Sequence, residues 1–287
     1  MFFIIGCVVV VGSVIGGYML GGGHLAVLWM PFEFLIIFGA GLGGFIISNP
    51  KKVLGGVAGS FGTLMRGSKF DKASYLELLG ALYAVFRLAK SKGDLALESH
   101  VERPSESQLF QAFPKFAAEH HALEFLCDYA RLLTLGTTNS HEMEAVMDAE
   151  LEVHHNEMHA VSGAVTTMGD AFPALGIVAA VLGVIHTMGS ITEPPEVLGH
   201  LIGGALVGTF SGILMSYGIV SPIGKFLEQT FDAESQYIHC IKVGIIAHMQ
   251  GYAPQVSIEF SRKVLDSNVR PTFAEVEEMV QTLPSFS

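Results

Sequence analysis

Lysine and arginine are missing from two long stretches of this 287-residue chain, 1–50 and 132–224. All 16 fall in two blocks, 11 between Lys51 and Arg131 and 5 between Lys225 and Arg270. Acidic residues thin out in the same places, where 1–50 and 160–224 hold only Glu33, Asp170, Glu193 and Glu196. Charged residues make up 15% of the chain, against about 25% in average globular proteins. Half the residues are hydrophobic, and the mean hydropathy is +0.48. A net charge of −11 excludes a nucleic-acid binder, which needs clustered cations against phosphates. Three scattered cysteines, Cys7, Cys127 and Cys240, supply neither a disulfide framework nor a zinc site. Gly224-Lys225 is followed by Phe226, where a phosphate-binding loop needs Ser or Thr, so ATP is excluded as the energy source. No Ser/His/Asp or Cys/His grouping has local support, and no cofactor or enzymatic chemistry is indicated. What is left is a polytopic membrane protein with soluble parts.

The uncharged runs have the length of membrane spans. Residues 1–20 reach about 30 Å at about 1.5 Å per residue, the thickness of a bilayer core. A cleaved signal peptide is disfavoured, because a basic start is lacking and the apolar run is too long. A second run, 34–48, extends back through 25–30 with Glu33 near the interface and Trp29 as an interfacial anchor. Residues 171–192 and 197–224 give the third and fourth. Basic residues avoid the short loops 21–31 and 193–196, so the positive-inside rule puts both charged blocks and both termini in the cytoplasm. The sequence thus predicts an all-α membrane protein of four spans. It divides into a transmembrane hairpin 1–50, a cytoplasmic helical domain 51–160, a second hairpin 161–223 and a cytoplasmic helical tail 224–287. Cysteines facing a reducing compartment are expected as free thiols.

The soluble parts read as helical. Tyr75, Leu76, Leu79, Leu82, Tyr83 and Phe86 form an amphipathic stripe, and Leu123, Phe125, Leu126, Tyr129, Leu132 and Leu133 form another. Thr272 and Glu275 after Pro271 read as a capping box. Within the spans, Gly204, Gly208 and Gly212 fall on one face of the fourth, and Gly39 and Gly43 on one face of the second. Such spacing lets helix backbones approach closely, within one chain or between subunits. Pro173 and Pro222 flank the second hairpin, as helix boundaries or as hinges. The stretch 141–159 is rich in His, Asp and Glu, but its spacing fits neither a zinc-protease helix nor a di-iron pair, and a solvated acidic face is expected. An absence matters most. Spans three and four carry no carboxylate at mid-membrane depth, although ion-coupled machines usually need one. If the chain conducts protons, another polypeptide must supply the acid, with Thr209, Ser211, Thr187 and Ser216 as this chain's polar groups.

Several separated segments then converge. Arg87-Leu-Ala-Lys90-Ser-Lys92-Gly-Asp-Leu-Ala-Leu-Glu98 is followed by Gly169-Asp170-Ala-Phe-Pro173-Ala-Leu-Gly176. Later come Val207-Gly208-Thr209-Phe210, Tyr217-Gly-Ile-Val-Ser-Pro222, Gly251-Tyr-Ala-Pro254 and Glu259-Phe-Ser-Arg262-Lys263. In order and over nearly the whole chain, they resemble the MotA family of flagellar motor stator subunits, within the MotA/TolQ/ExbB superfamily. The resemblance implies a multi-pass protein of the bacterial inner membrane, five copies of which surround two MotB chains. MotB would supply the missing membrane aspartate and reach peptidoglycan, so that contact is only indirect here. It further implies that Pro173 and Pro222 couple ion flow to movement, and that Lys90 and Glu98 contact the rotor protein FliG. The family commonly has Arg where Lys90 stands, which keeps the charge but loses the bidentate fork, so Arg87 or Lys92 can share that role. Ala180, Thr209 and Asp170 belong to the implied ion path. Sodium-driven relatives typically carry threonine at the position of Ala180, so protons are the expected coupling ion. An ExbB- or TolQ-type channel subunit is disfavoured by the extra first span. A non-conducting membrane scaffold is the rival of another class.

Overall fold

The computed structural model describes residues 2–67, 69–284 and 286, with Phe2 and Arg66 described in the backbone only. Among these residues every regular element is helical and no strand occurs. The first four helices are α1 (Phe2–Leu20), α2 (Leu25–Leu28), α3 (Pro31–Ser48) and α4 (Lys51–Arg66). Then come α5 (Lys72–Lys92), α6 (Glu98–Glu102), α7 (Gln108–Gln111), α8 (Pro114–Ala117) and α9 (His120–Thr134). The longest, α10 (Ser140–Gly189), is followed by α11 (Pro195–Met215), α12 (Ser221–Met249), α13 (Pro254–Lys263) and α14 (Phe273–Thr282). Four helical stretches are long and apolar enough to cross a membrane: Phe3–Leu20, Leu25–Ser48, and windows within Ser140–Gly189 and Pro195–Met249. Contacts divide the chain into two units, Met1–Gly67 with Glu157–Thr230, and Ser68–Asn156 with Phe231–Ser287.

The first unit holds the apolar helices, and glycine sets their spacing. A Cβ on Gly212 of α11 would lie 2.5 Å from the Phe172 carbonyl oxygen and 2.9 Å from the Gly176 Cα of α10. One on Gly176 would meet the Gly208 carbonyl at 2.8 Å, and one on Gly183 would meet Ala205 Cβ at 2.9 Å. Backbone therefore packs on backbone along the α10–α11 crossing, the arrangement that small residues permit in membrane helices. The α3 helix joins this pair through Phe38 and Phe172, whose rings meet edge-on at 5.6 Å, and through buried Ile37. Within this chain, the close approach on α3 falls at a different glycine from those the spacing marks. Added Cβ atoms at Gly39 and Gly43 would meet nothing within 4 Å, whereas one at Gly41 would strike the Phe172 ring at 2.8 Å. The second span is also not one helix. It breaks at Trp29–Met30, because Pro31 has no N–H to continue the helix and instead occupies the first turn of α3.

Both flagged prolines lie in continuous helical chain. Pro173 sits inside the 50-residue α10. Pro222 follows a π-turn, Ser216–Val220, that joins α11 to α12. Proline removes one helical hydrogen bond and crowds the carbonyl four residues back, and a widened turn just before it relieves that crowding. On this path Pro222 ends nothing.

The second unit is built around α5. Tyr75, Leu79, Leu82 and Phe86 are buried as their stripe predicts, but so are Leu78, Ala81 and Val85 on the other side. The stripe predicts one buried face, and α5 is buried on both, because α13 and α14 cover the second. Tyr237 of α12 fills the middle, its ring 4.7 Å from Phe70 and 5.2 Å from Tyr75. The Thr272–Glu275 capping box forms as expected, with Thr272 N–H donating to Glu275 Oε2 at 2.7 Å. Glu259 and Arg262 share two hydrogen bonds of 2.7 and 2.6 Å, and the buried guanidinium also donates to the Pro271 carbonyl at 2.9 Å. Those bonds hold the Glu259 carboxyl below its usual range. The stabilisation they lend is present above the unfolded carboxylate pKa and fades as pH falls through the folded value.

Candidate functional site

The sequence-predicted residues fall into two groups, one in each unit. In the membrane-type unit, the α10–α11 crossing brings Ala180 and Thr209 to the same place. A Cβ on Gly208 would lie 3.3 Å from Ala180 N, and one on Gly176 would lie 3.3 Å from Thr209 Cα. Both Ala180 and Thr209 are half-buried. Pro173 lies one turn before Gly176, while Asp170, one turn earlier still, is exposed. Neither helix presents a carboxylate at the crossing. Glu33, read from the sequence as lying near the interface of the second span, also reaches α11. From the first turn of α3 it brings its Oε1 within 3.2 Å of a Cβ built on Gly204 of α11. It is the sole acid in residues 1–50, and an ionisable group within an apolar helix is expensive unless used.

In the other unit, Arg87 and Lys90 are exposed on the last two turns of α5. Gly93, at φ +89°, ends the helix and turns the chain through a 3₁₀ turn, Asp94–Leu97, into α6, which opens on exposed Glu98. Lys90 Nζ donates to the Gly251 carbonyl at 3.3 Å, so the loop after α12 steadies the cation. Behind it, His248 stacks on Phe86 at 4.9 Å, its Nε2 3.9 Å from an Asp94 oxygen. Burial pushes the His248 pKa down, which keeps the imidazole neutral beside Lys90. Glu98 opens onto a groove shared with Glu102, Arg103 and Glu106. Arg131 of α9 fixes the far edge by bonding Glu102 and Asp128, each at 2.7 Å. Arg87 faces a different cleft, with Lys92, Leu283 and Phe286. Lys90 and Glu98 thus flank one helical turn, and Arg87 stands apart from Glu98.

The acidic stretch 141–159 is largely exposed, as expected, with Glu142, Asp148, Glu150, Glu152 and Glu157 facing solvent, but some of its carboxylates also make contacts. Asp148 and Glu144 approach the buried Lys242 amine at 2.5 and 3.5 Å. Glu150 accepts from the Tyr129 hydroxyl at 2.6 Å. These carboxylates dock α10 against α12 and α9, a use that composition cannot distinguish from solvation. All three cysteines are free; burial raises the Cys127 thiol to about 12 and pushes Cys240 up as well, so neither serves as a nucleophile.

Comparison with known proteins decides the family. Residues 4–93 match the motility protein A N-terminal family, and 117–239 match the MotA/TolQ/ExbB proton channel family. Motility protein A of Escherichia coli (strain K12) is 42% identical over 283 residues, covering 99% of this chain and 96% of that one. The chain belongs to the motility protein A family. LafT, a chemotaxis protein of Vibrio parahaemolyticus, is 32% identical over 96% of both chains. Among solved structures, the flagellar MotAB stator complex from Bacillus subtilis aligns with a TM-score of 0.70 at 25% identity, covering 89% of this chain and 92% of that one. C. jejuni MotAB shares the fold, with a TM-score of 0.78 at 22% identity over 93% of this chain and 96% of that one. Motility protein A relatives therefore match this chain along almost its whole length, both units included.

Proposed function

We propose that this chain is a stator subunit of the bacterial flagellar motor, forming with a MotB-like partner a proton channel that drives torque on the rotor. One observation carries the reading. The glycine-lined α10–α11 crossing bears Ala180 and Thr209 but no carboxylate, which suits a helix pair that receives its titrating acid from a second protein. In this reading α1, the α2–α3 stretch, α10 and α11 form two transmembrane hairpins in the inner membrane. Both termini lie in the cytoplasm, as do the helical domain 51–160 and the tail 224–287, and five copies surround two partner helices. Protonation of the partner's aspartate changes how α10 and α11 pack, and Pro173 and Pro222 pass the change along the helices they interrupt. Asp170 lies where protons leave, and Glu33 adds a carboxylate at the opposite end of α11. Lys90 and Glu98, helped by Arg87, push on charged helices of a FliG-type rotor protein, and only the partner reaches peptidoglycan. The chain itself performs no enzymatic reaction and needs no cofactor.

Ala180 favours protons, because a sodium ion needs several oxygen ligands and the methyl group removes one. In a strain lacking its own stator genes, complemented with this chain and its partner, swimming speed at fixed pH should not change when sodium is replaced by potassium. A protonophore should stop it. Speed that instead follows external sodium would overturn proton coupling, and no rescue at all would count against the stator reading.

Charge on the α5–α6 turn gives a second test. Exposed pairs contribute only about 0–1 kcal/mol each, so Lys90→Ala should slow swimming mildly. Lys90→Glu should slow it several-fold at normal membrane levels, because attraction becomes repulsion. Normal swimming by Lys90→Glu, Glu98→Lys and their double variant would remove both residues from the rotor contact.

Topology is checked by thiol labelling of intact spheroplasts with a membrane-impermeant reagent. A cysteine at Pro194 should react, and cysteines at Ser105 and Thr272 should not. Labelling at Ser105 from outside would break the two-hairpin layout.

A further inference from the structure

Serine and threonine in membrane helices normally satisfy their hydroxyls on the carbonyl one turn back. The apolar unit follows this habit closely. Ser48 donates to the Gly44 carbonyl at 2.8 Å, Ser60 to Gly56 at 2.8 Å, Thr166 to Ser162 at 3.1 Å and Thr187 to Gly183 at 2.8 Å. Ser216 and Ser221 depart from it. Both Oγ atoms are buried, and neither has a hydrogen-bond partner among the described residues. Ser216 is 0% exposed, so no group outside this fold reaches it without rearrangement.

The two serines stand at the ends of the π-turn, where the Ser221 N–H bonds to the Ser216 carbonyl five residues back. The extra residue in that turn shifts the backbone register at Ser221, whereas the Ser216 N–H keeps the Gly212 and Ile213 carbonyls and its hydroxyl bonds to neither. Glycine allows the helices to approach closely here. A Cβ on Gly169 of α10 would sit 2.6 Å from Ser221 Oγ, and one on Gly218 would sit 2.9 Å from Val10 of α1. Gly169 directly precedes Asp170. Ser216 lies seven residues beyond Thr209 on the same helical path, about 10 Å further along at 1.5 Å per residue.

We propose that Ser216 and Ser221 bind internal water and form a relay station between the α10–α11 crossing and Asp170. This rests on the proton-channel reading above and adds the route by which the proton leaves. Buried hydroxyls without protein partners are the kind of group that structural water satisfies. In the relay each oxygen accepts a proton on a lone pair from one neighbour and releases another to the next. Hydroxyl ends as hydroxyl and water as water, no bond between heavy atoms changes, and the proton acquired from the partner's acid is delivered towards the aqueous phase. The π-turn then has a purpose beyond accommodating Pro222, since it holds Ser221 out of the register in which its hydroxyl would bond to the carbonyl one turn back.

The test uses the complex of this chain with its partner, reconstituted in liposomes holding a pH-sensitive dye, with a potassium diffusion potential driving proton entry. The Ser216→Ala, Ser221→Ala double variant should lose at least tenfold in proton flux while keeping the complex's mass and thermal midpoint. Ser221→Thr, which keeps the hydroxyl, should stay within about twofold of wild type, a rescue that a purely steric role would not give. If the double variant fails to assemble, Ser221→Ala alone should still lower the flux at unchanged mass. Flux equal to wild type in assembled alanine variants would overturn the relay. A wild-type complex that carried no protons would instead defeat the channel reading. The water would then be judged by infrared spectroscopy alone, where a buried O–H stretching band must be present in wild type and lost in Ser216→Ala.

Discussion

Replacing Gly212 by alanine should abolish motility and loosen the apolar unit. The new methyl would sit 2.5 Å from the Phe172 carbonyl oxygen, 2.9 Å from Gly176 Cα and 3.2 Å from Gly176 N. Every one of these atoms is backbone, so no flexible side chain can swing aside. The α10 and α11 helices must separate, and the contacts at Gly208 and Gly183 weaken with them. Inserting a methyl group into a packed core costs about 1–3 kcal/mol, and a clash against rigid backbone belongs at the upper end. Gly43→Ala is the matched control, because its methyl meets nothing within 4 Å. Soft-agar swimming of complemented cells, with membrane levels checked by immunoblot, reads both. Normal spreading by Gly212→Ala would mean that the crossing is looser than its geometry indicates.

Tyr237→Ala should have the largest effect in the other unit. The ring is 0% exposed, lies against Phe70 and Tyr75, and its hydroxyl makes a long 3.4 Å bond to the Ser74 carbonyl. Removing a buried aromatic ring costs about 3–5 kcal/mol, a large share of the stability of any domain. The unfolding midpoint in detergent should fall by many degrees, and steady-state protein levels should drop. Tyr237→Phe keeps the ring and gives up only the long hydrogen bond, so it should cost at most about 1 kcal/mol. Equal destabilisation by both variants would place the stabilisation in the hydroxyl rather than in the ring.

The spans were legible because a bilayer leaves little choice: uncharged runs of about 20 residues form helices that satisfy their own backbone. The capping box at Thr272 was legible because its chemistry is local. Other features depend on what a helix meets. The stripe on α5 did not disclose that α13 and α14 would bury its second face. Spacing drew attention to Gly39 and Gly43, whereas Phe172 selects Gly41, a choice made by another helix. Carboxylates at Glu144 and Asp148 look the same in sequence whether water or Lys242 faces them. Pro222 was visible, but not the π-turn that lets the helix pass through it. In the candidate site, Ala180 and Thr209 were paired by resemblance, and the α10–α11 crossing gives that pairing a geometry. Glu33 reads as interfacial and does stand in the first turn of α3, whereas its approach to Gly204 depends on a second helix. Pro31 carried a local signal for the break at Trp29–Met30, which a hydropathy run alone does not show.

That break gives the molecule a built-in optical probe. Trp29 is the chain's sole tryptophan, is 73% exposed, and lies 6.1 Å from the Phe34 ring beside the kinked entry to α3. Excitation near 295 nm therefore reports on a single known point without any label being introduced. Indole emission shifts to shorter wavelength as water leaves its surroundings, and lipid-borne quenchers reach it only at their own depth. Assembly of subunits, arrival of the partner and changes in bilayer thickness can each be followed in the unmodified protein, by the colour of one side chain.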